Sequence, residues 1–140
     1  MLKDVMQSEQ NFHLQEFPKI PTKWKNKELF KKWEKFKIIR KVVNTAMEEK
    51  RANKEIGSSL EADIKIYLNK EYLKVIKDID LPENFITSKA EAKNLIKDDS
   101  LFNINEEDGI KVLVKKAEGE KCPRCWKIFP KPCERCSSIK

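Results

Sequence analysis

The chain has 140 residues and a net charge of +7, and 39% of its residues are hydrophobic while 38% are charged. This size fits one domain or two small ones, and the modest apolar content leaves a marginal core. No apolar run approaches the ~18 residues that span a bilayer, and the first residues lack the apolar segment of a signal peptide. We therefore expect a cytoplasmic protein without contact to a membrane.

The positive charge is concentrated in two segments. Residues 23–54 carry 12 Lys and Arg and 4 Asp and Glu, and residues 121–140 carry 6 and 1. Residues 55–120 between them are mildly acidic. This distribution favours a polyanionic partner that is touched at two places, although a solvated lysine-rich surface gives the same pattern.

Residues 1–23 are predicted to be extended and irregular. Pro18 and Pro21 oppose a helix in this segment. His13, the only histidine, has no metal-binding motif around it, so we expect it to be a structural or surface group.

The clearest element is an amphipathic helix over residues 27–55. Asn26 is expected to cap its start, and Gly57 is expected to take the left-handed conformation that ends it. The helix carries an apolar stripe that is expected to be core and to pack on other helices. The stripe follows three- and four-residue steps, as Phe30, Trp33, Phe36, Ile39, Val43, Ala46 and Met47.

The segment after this helix is predicted to alternate between helix and strand. Ser58–Glu61 is typical of a capping box that starts a short helical turn. Ile64–Leu68 alternates as a strand does. Residues 70–79 then predict a second helix, which Leu81–Pro82 is expected to end.

Two further strands complete the predicted α/β layer. One is expected to begin at Phe85–Thr87, and a polar loop is expected over residues 97–108. The strongest strand pattern in the chain is Ile110–Val114. Strand, helix, strand and strand over residues 62–116 indicate a small mixed sheet.

All four cysteines stand near the C-terminus, in two pairs with two intervening residues each. That spacing lets both sulfurs of a pair face one point, and four thiolates suit tetrahedral Zn²⁺. Reducing conditions in the cytosol disfavour disulfides, and two such pairs this close are unusual for a redox motif. We predict one structural zinc ion without a catalytic role, because four thiolates leave no position for water. The predicted ligands are Cys122, Cys125, Cys133 and Cys136.

Trp126 directly follows the second cysteine of the first pair. In so small a module an aromatic side chain either packs on the metal site or projects outward, where an unpaired base can stack on it. Arg124 is placed to bond a phosphate or a base edge. The residues themselves leave both alternatives open.

The string Lys121–Trp126 resembles the Lys-Cys-x-Arg-Cys-Trp signature that closes bacterial-type isoleucyl-tRNA synthetases. A related knuckle closes the formamidopyrimidine-type DNA glycosylases, and the upstream sequence separates the two families. Ile56–Ala62, with Arg51 and Lys54 before it, is similar to the synthetase segment that ends in Ile-Gly-x-Ser-Leu-Glu-Ala. The resemblance runs from about residue 11 to residue 136.

The resemblance implies an α+β chain in three parts. Residues 1–60 would end a helical anticodon-binding domain, residues 61–117 would form a small α/β junction, and residues 118–140 would be the zinc-binding module. Together they would grip the anticodon stem-loop of an isoleucine tRNA. Attachment of isoleucine with ATP would belong to a catalytic domain absent from this chain.

The resemblance also indicates the residues that contact tRNA. We expect these contacts on the basic helix and on the knuckle, from Arg40, Arg51, Lys54, Arg124 and Trp126. The partners would be the tRNA and the remainder of the synthetase, with the chain itself monomeric. The gap between the cysteine pairs is shorter than is expected for the family.

The chain is expected to lack catalytic residues, because it contains neither the His-Ile-Gly-His nor the Lys-Met-Ser-Lys-Ser string. Aminoacylation by this chain alone is therefore not expected. Two alternatives remain: a free-standing zinc-knuckle protein that binds nucleic acid, and a zinc module that only packs against a parent protein.

Overall fold

The computed structural model describes residues 19–98, 100–104 and 107–138, apart from the Arg135 side chain. The predictions for residues 1–18, including His13, lie outside the described residues. Within the described part, every helix is too short or too polar to cross a bilayer. A short 3₁₀ turn, Thr22–Trp24, precedes the first long helix.

Helix α1, Lys27–Ala52, is the longest element. The Asn26 side chain accepts a hydrogen bond from the Leu29 N–H at 2.9 Å, which confirms the predicted cap. The predicted end is wrong, because Lys54, with φ of 59°, takes the left-handed conformation. The helix stops three residues earlier than expected, and the Glu55 N–H then bonds the Lys50 carbonyl in a Schellman turn.

The apolar stripe of α1 is buried only in its second part. Phe36 stacks on Phe85 with ring centroids 5.6 Å apart, and Trp33 meets the edge of Phe36 at 5.2 Å. Trp33 remains 39% exposed and Phe30 60% exposed, so the prediction that the whole stripe is core is wrong for these two. The small α/β layer covers the helix only from about Phe36 onward.

A three-stranded sheet lies against α1, with strand order β2-β1-β3. The central strand β1, Ala62–Leu68, runs parallel to β2, Lys89–Asn94, and antiparallel to β3, Ile110–Lys116. The strands predicted at Ile64–Leu68 and Ile110–Val114 are therefore confirmed. Strands β1 and β3 bury alternate side chains toward α1, and these residues share one hydrophobic core with the helix.

Two short helices make the connection from β1 to β2. They are α2, Lys70–Ile76, and α3, Leu81–Phe85. The strand predicted to begin at Phe85–Thr87 is present but begins later, at Lys89, since Phe85 ends α3 and the backbone of Ile86 is left-handed. Asp80 caps α3, and Pro82 stands in its first turn, where proline favours a helix. Asp-Leu-Pro at residues 80–82 thus starts α3, whereas Leu81–Pro82 was expected only to end the preceding helix.

The two edges of the sheet are different. Edge strand β2 carries alternating charges, and Lys89 pairs with Glu91 at 2.9 Å. On the other side, Phe102 forms an isolated antiparallel bridge with Val112 of β3, within the segment predicted to be a loop. Among the described residues, β2 pairs only with β1, while part of the outer edge of β3 is paired.

The last segment forms a small hairpin and a helical turn. Strand β4, Glu120–Lys121, pairs antiparallel with β5, Ile128–Phe129, and α4, Glu134–Ser137, follows. Gly119 begins the hairpin at φ of 125°, and a Cβ there would lie 2.0 Å from the Phe129 carbonyl oxygen. The chain is thus mixed helix and sheet with four cysteines at its end, and the division into three functional segments stays a prediction.

Candidate metal centre and nucleic-acid interface

The β4–β5 hairpin positions the first cysteine pair. The Cys122 N–H donates to the Lys127 carbonyl at 2.9 Å, and the Trp126 N–H donates to the Cys122 carbonyl at 2.9 Å. These bonds close the loop around Cys125 into a knuckle. The second pair is set by α4, since Cys133 is the residue before its first turn and the Cys136 N–H donates to the Cys133 carbonyl at 3.1 Å.

The four cysteine sulfurs form one compact cluster. All four lie within 4.8 Å of one another, and the Sγ atoms of Cys125 and Cys133 are 3.8 Å apart. A tetrahedral ion with Zn–S bonds of about 2.3 Å requires sulfurs about 3.8 Å apart. The donor set therefore fits a zinc ion in composition and in spacing.

The backbone of the knuckle favours the thiolate form of one cysteine. Backbone N–H groups of Cys125 and Arg124 hydrogen-bond the Cys122 sulfur and lower the pKa of that thiol to about 6. Burial, together with hydrogen bonds that its S–H donates to the neighbouring cysteine sulfurs, raises the pKa of Cys136 to about 12. Metal binding to the thiolate form must therefore displace the proton of the Cys136 thiol.

Basic side chains surround the sulfur cluster. A cleft of about 630 Å³ opens beside it, and Lys121, Arg124 and Lys131 are among the residues that line it. Positive charge here offsets part of the negative charge of a four-thiolate site. The same charge gives the outer surface of the module an attraction for phosphate.

Trp126 projects from the knuckle into solvent. Its side chain is 60% exposed, and its backbone has φ of 64°, held by the bond from its N–H to the Cys122 carbonyl. The Lys121 ammonium lies 5.8 Å from the centre of the indole ring, which is within cation–π range. A flat aromatic surface is thus presented beside a cation, and contact with a base stays a prediction.

The basic residues of α1 divide into two groups. Several of them pair with acidic side chains of the chain itself and brace the helix against its neighbours. Lys32 approaches Asp78 at 3.7 Å and Lys41 approaches Glu107 at 3.7 Å, while Lys35 binds Glu71. Part of the positive charge of α1 is therefore paired with acidic side chains of the same chain at the surface.

The predicted contacts on α1 remain on the surface. Arg40 and Lys54 are exposed, and Arg51 pairs with Glu48 one helical turn away at 3.0 Å. A spacing of 11 residues is about three helical turns, so Arg40 and Arg51 share one side of α1. The five predicted contacts thus lie on two elements, the helix with its end and the knuckle.

Sequence reasoning missed the residues that attach the knuckle to the sheet. The Lys127 ammonium lies 2.8 Å from a Glu83 carboxylate oxygen, and the Ile128 N–H donates to the Ser88 hydroxyl at 2.6 Å. These partners are 40 or more residues apart in the chain. No local pattern marks such pairs, so no sequence signal was available to find them.

Comparison with known proteins shows a consistent set of relatives. The chain is 42% identical over 131 residues to the isoleucine–tRNA ligase of Pelagibacter ubique, and this match covers 94% of the chain and 13% of the relative. The enzymes of Mesorhizobium japonicum, at 40% identity, and Natranaerobius thermophilus, at 34%, match 82% and 94% of the chain. The chain spans only 12% and 16% of those two relatives. No family model matches the chain.

Proposed function

This chain belongs to the isoleucine–tRNA ligase family, matching the C-terminal part of its members, and from that premise we propose that it binds the anticodon stem-loop of an isoleucine tRNA. The observation that carries the proposal is the match over 94% of the chain to a relative of that name. A catalytic domain outside this chain would attach isoleucine to the tRNA with ATP.

A structural zinc ion belongs to the same proposal. Cys122, Cys125, Cys133 and Cys136 would hold one Zn²⁺, which would cross-link the hairpin to α4. Their sulfurs lie at the spacing that a tetrahedral ion requires. The ion would take no part in chemistry, because four sulfurs complete its coordination.

The RNA would be held by two kinds of contact. Arg40, Arg51 and Lys54 would meet backbone phosphates, which supplies affinity without sequence information. Trp126 would stack on an unpaired loop base, with Arg124 at the neighbouring phosphate or base edge. Their exposure on the described surface supports this assignment.

The remainder of the synthetase would cover the start of α1. Apolar side chains remain exposed around this end of the helix, on one continuous stretch of chain. They are Trp24, Leu29, Phe30 and Trp33. In the relatives, most of the protein lies outside the matched part. We propose that helices of that part pack on this surface in the cytoplasm, and that the synthetase acts as a monomer.

A binding measurement with the zinc-loaded chain tests the proposal. The probes are a stem-loop RNA with an isoleucine anticodon, the same stem with an altered loop, and a DNA duplex of equal length. We expect the first RNA to bind most tightly. Removal of one phosphate contact, as in Arg51→Ala, should reduce by about one the slope of the logarithm of the binding constant against the logarithm of the salt concentration. Equal binding of all three probes would favour a general nucleic-acid binder, and no binding would favour a module that only packs against its parent.

A further inference from the structure

The Ser88 hydroxyl connects three parts of the chain. It donates a hydrogen bond to the Leu60 carbonyl and accepts one from the Ile128 N–H at 2.6 Å. One hydroxyl has one proton to donate and two lone pairs to accept, so both bonds form at once. Ser88 is 7% exposed, and water has little access to replace either bond.

A second contact fixes the same piece of the knuckle. The Lys127 side chain is 13% exposed, and its ammonium lies 2.8 Å from a Glu83 carboxylate oxygen. The Lys127 carbonyl accepts the Cys122 N–H, so this residue belongs to the knuckle that carries the first cysteine pair. Adjacent residues of the hairpin, Lys127 and Ile128, are thus held by the start of β2 and by α3.

The hydrogen bond from Ser88 to the Leu60 carbonyl reaches the segment that follows α1. Leu60 lies in the short segment between the end of α1 and the start of β1. Within that segment the Glu61 carboxylate accepts the Gly57 N–H at 3.0 Å, which stiffens the backbone. Lys54 ends the Schellman turn only a few residues before Leu60. The Ser88 hydroxyl therefore connects the knuckle to the segment that follows α1, beside the backbone bond from the Ala117 N–H to the Glu61 carbonyl at 2.7 Å.

We propose that Ser88 is a positioning residue, which fixes the orientation of the zinc module relative to the end of α1 so that both can meet one RNA. This rests on the proposed function. Two contact surfaces on one rigid body bind without first having to be ordered, whereas a loose joint adds that entropic cost to every binding event. Ser88 would raise affinity without touching RNA.

The neighbouring residue provides a matched control. Thr87 is fully buried, and its hydroxyl has no hydrogen-bond partner among the described residues. Thr87→Val removes a hydroxyl of similar burial one residue away and keeps the side-chain shape. Ser88→Ala removes the hydroxyl that makes both bonds.

The first measurement concerns the zinc-loaded chain of 140 residues without RNA. Residual dipolar couplings report whether the amides of residues 120–129 and those of β1 align as one body. We expect one alignment tensor for the parent and for Thr87→Val, and a separate, weaker tensor for the knuckle of Ser88→Ala. One shared tensor in Ser88→Ala overturns the proposal.

The second measurement compares two RNA probes, the isoleucine stem-loop and an unstructured oligonucleotide with the loop sequence alone. Ser88→Ala should weaken stem-loop binding about tenfold, the scale expected when one of two linked contacts loses its fixed geometry. Binding of the loop oligonucleotide and zinc content should stay at the parent values, since the knuckle itself is intact. An equal loss for both probes would indicate simple structural damage and would overturn the positioning role.

A second variant keeps the test decisive if Ser88→Ala does not fold. Lys127→Met removes the Glu83 contact at the same joint. It should give the knuckle a separate alignment tensor and weaken stem-loop binding, as Ser88→Ala does. Lys127→Arg keeps the charge and should restore the shared tensor and the parent affinity. Absence of that rescue overturns the proposal. If the parent shows no preference for the stem-loop, the proposed function fails, and the couplings still decide whether Ser88 sets the orientation.

Discussion

The body over residues 27–116 and the zinc-binding tail over residues 118–138 differ in what stabilises them. The body buries a continuous hydrophobic cluster shared by α1 and the sheet, and each fully buried aliphatic side chain contributes about 1.5–3 kcal/mol. Among the described residues of the tail, only Cys122 is buried. The comparison leads us to expect that the body folds on its own buried surface, whereas the tail, with so little buried surface, needs its metal site for order.

Removal of zinc should have the largest effect and should separate the two regions. A chelator should unfold the tail while α1 and the sheet persist, because metal binding supplies the folding free energy of so small a module. Amide exchange followed by mass spectrometry would show lost protection over 120–138 and retained protection over 36–68. Elemental analysis should first find one zinc per chain, and less than half an equivalent after zinc-replete expression would contradict the site.

A cavity in the hydrophobic core should destabilise the body without affecting the tail. Ile66 is fully buried in the central strand, so Ile66→Ala should lower the free energy of unfolding by about 2–5 kcal/mol. Zinc stoichiometry at low denaturant should remain at the parent value. Loss of zinc in step with loss of the body would show that the two regions fold as one unit.

A smaller effect is expected from Trp126, which tests whether the tail carries a binding surface as well as a metal. Trp126→Ala should weaken binding of the isoleucine stem-loop by about 1–3 kcal/mol, the usual value for removing one stacked base contact. Trp126→Phe should lose less, because it keeps a flat ring. A Trp126→Ala protein that keeps its zinc and binds every loop as the parent does would show that no base stacks on the indole.

The smallest effect concerns the attachment of α2 to α1. Hydrogen bonding and charge from Lys35 lower the pKa of Glu71 below its usual 4.5. A lowered folded-state pKa adds stability that is present above the unfolded-state pKa and is lost as the pH falls through the folded-state value. Glu71→Gln should therefore lower the urea midpoint at neutral pH, and only slightly, since both groups are exposed. The difference should vanish in acid, measured on zinc-free protein so that the tail plays no part.

Local patterns allowed prediction of features whose cause is also local. The cap at Asn26, the two strands with alternating burial and the cysteine spacing all depend on residues a few positions apart. Gly57 was expected to end α1, yet the left-handed residue of the Schellman turn is Lys54, three residues earlier in the chain.

Features that depend on distant partners could not be predicted from the sequence. Phe30 and Trp33 have the same spacing as Phe36, but only Phe36 meets Phe85. Lys35 resembles the other lysines of α1 until α2 brings Glu71 to it. The Ser88 hydroxyl has partners 28 and 40 residues away, which no local pattern specifies.

The two edges of the sheet have a consequence for association between chains. A strand from a second molecule adds most readily to a long, flat and apolar edge, and charged side chains along an edge oppose such addition. On β2 it would meet alternating charges, with Glu91 between Lys89 and Lys93. On β3 it would find Val112 already bonded to Phe102. The charges on β2 thereby oppose edge-to-edge addition of a second molecule, and the Phe102 bridge blocks part of β3.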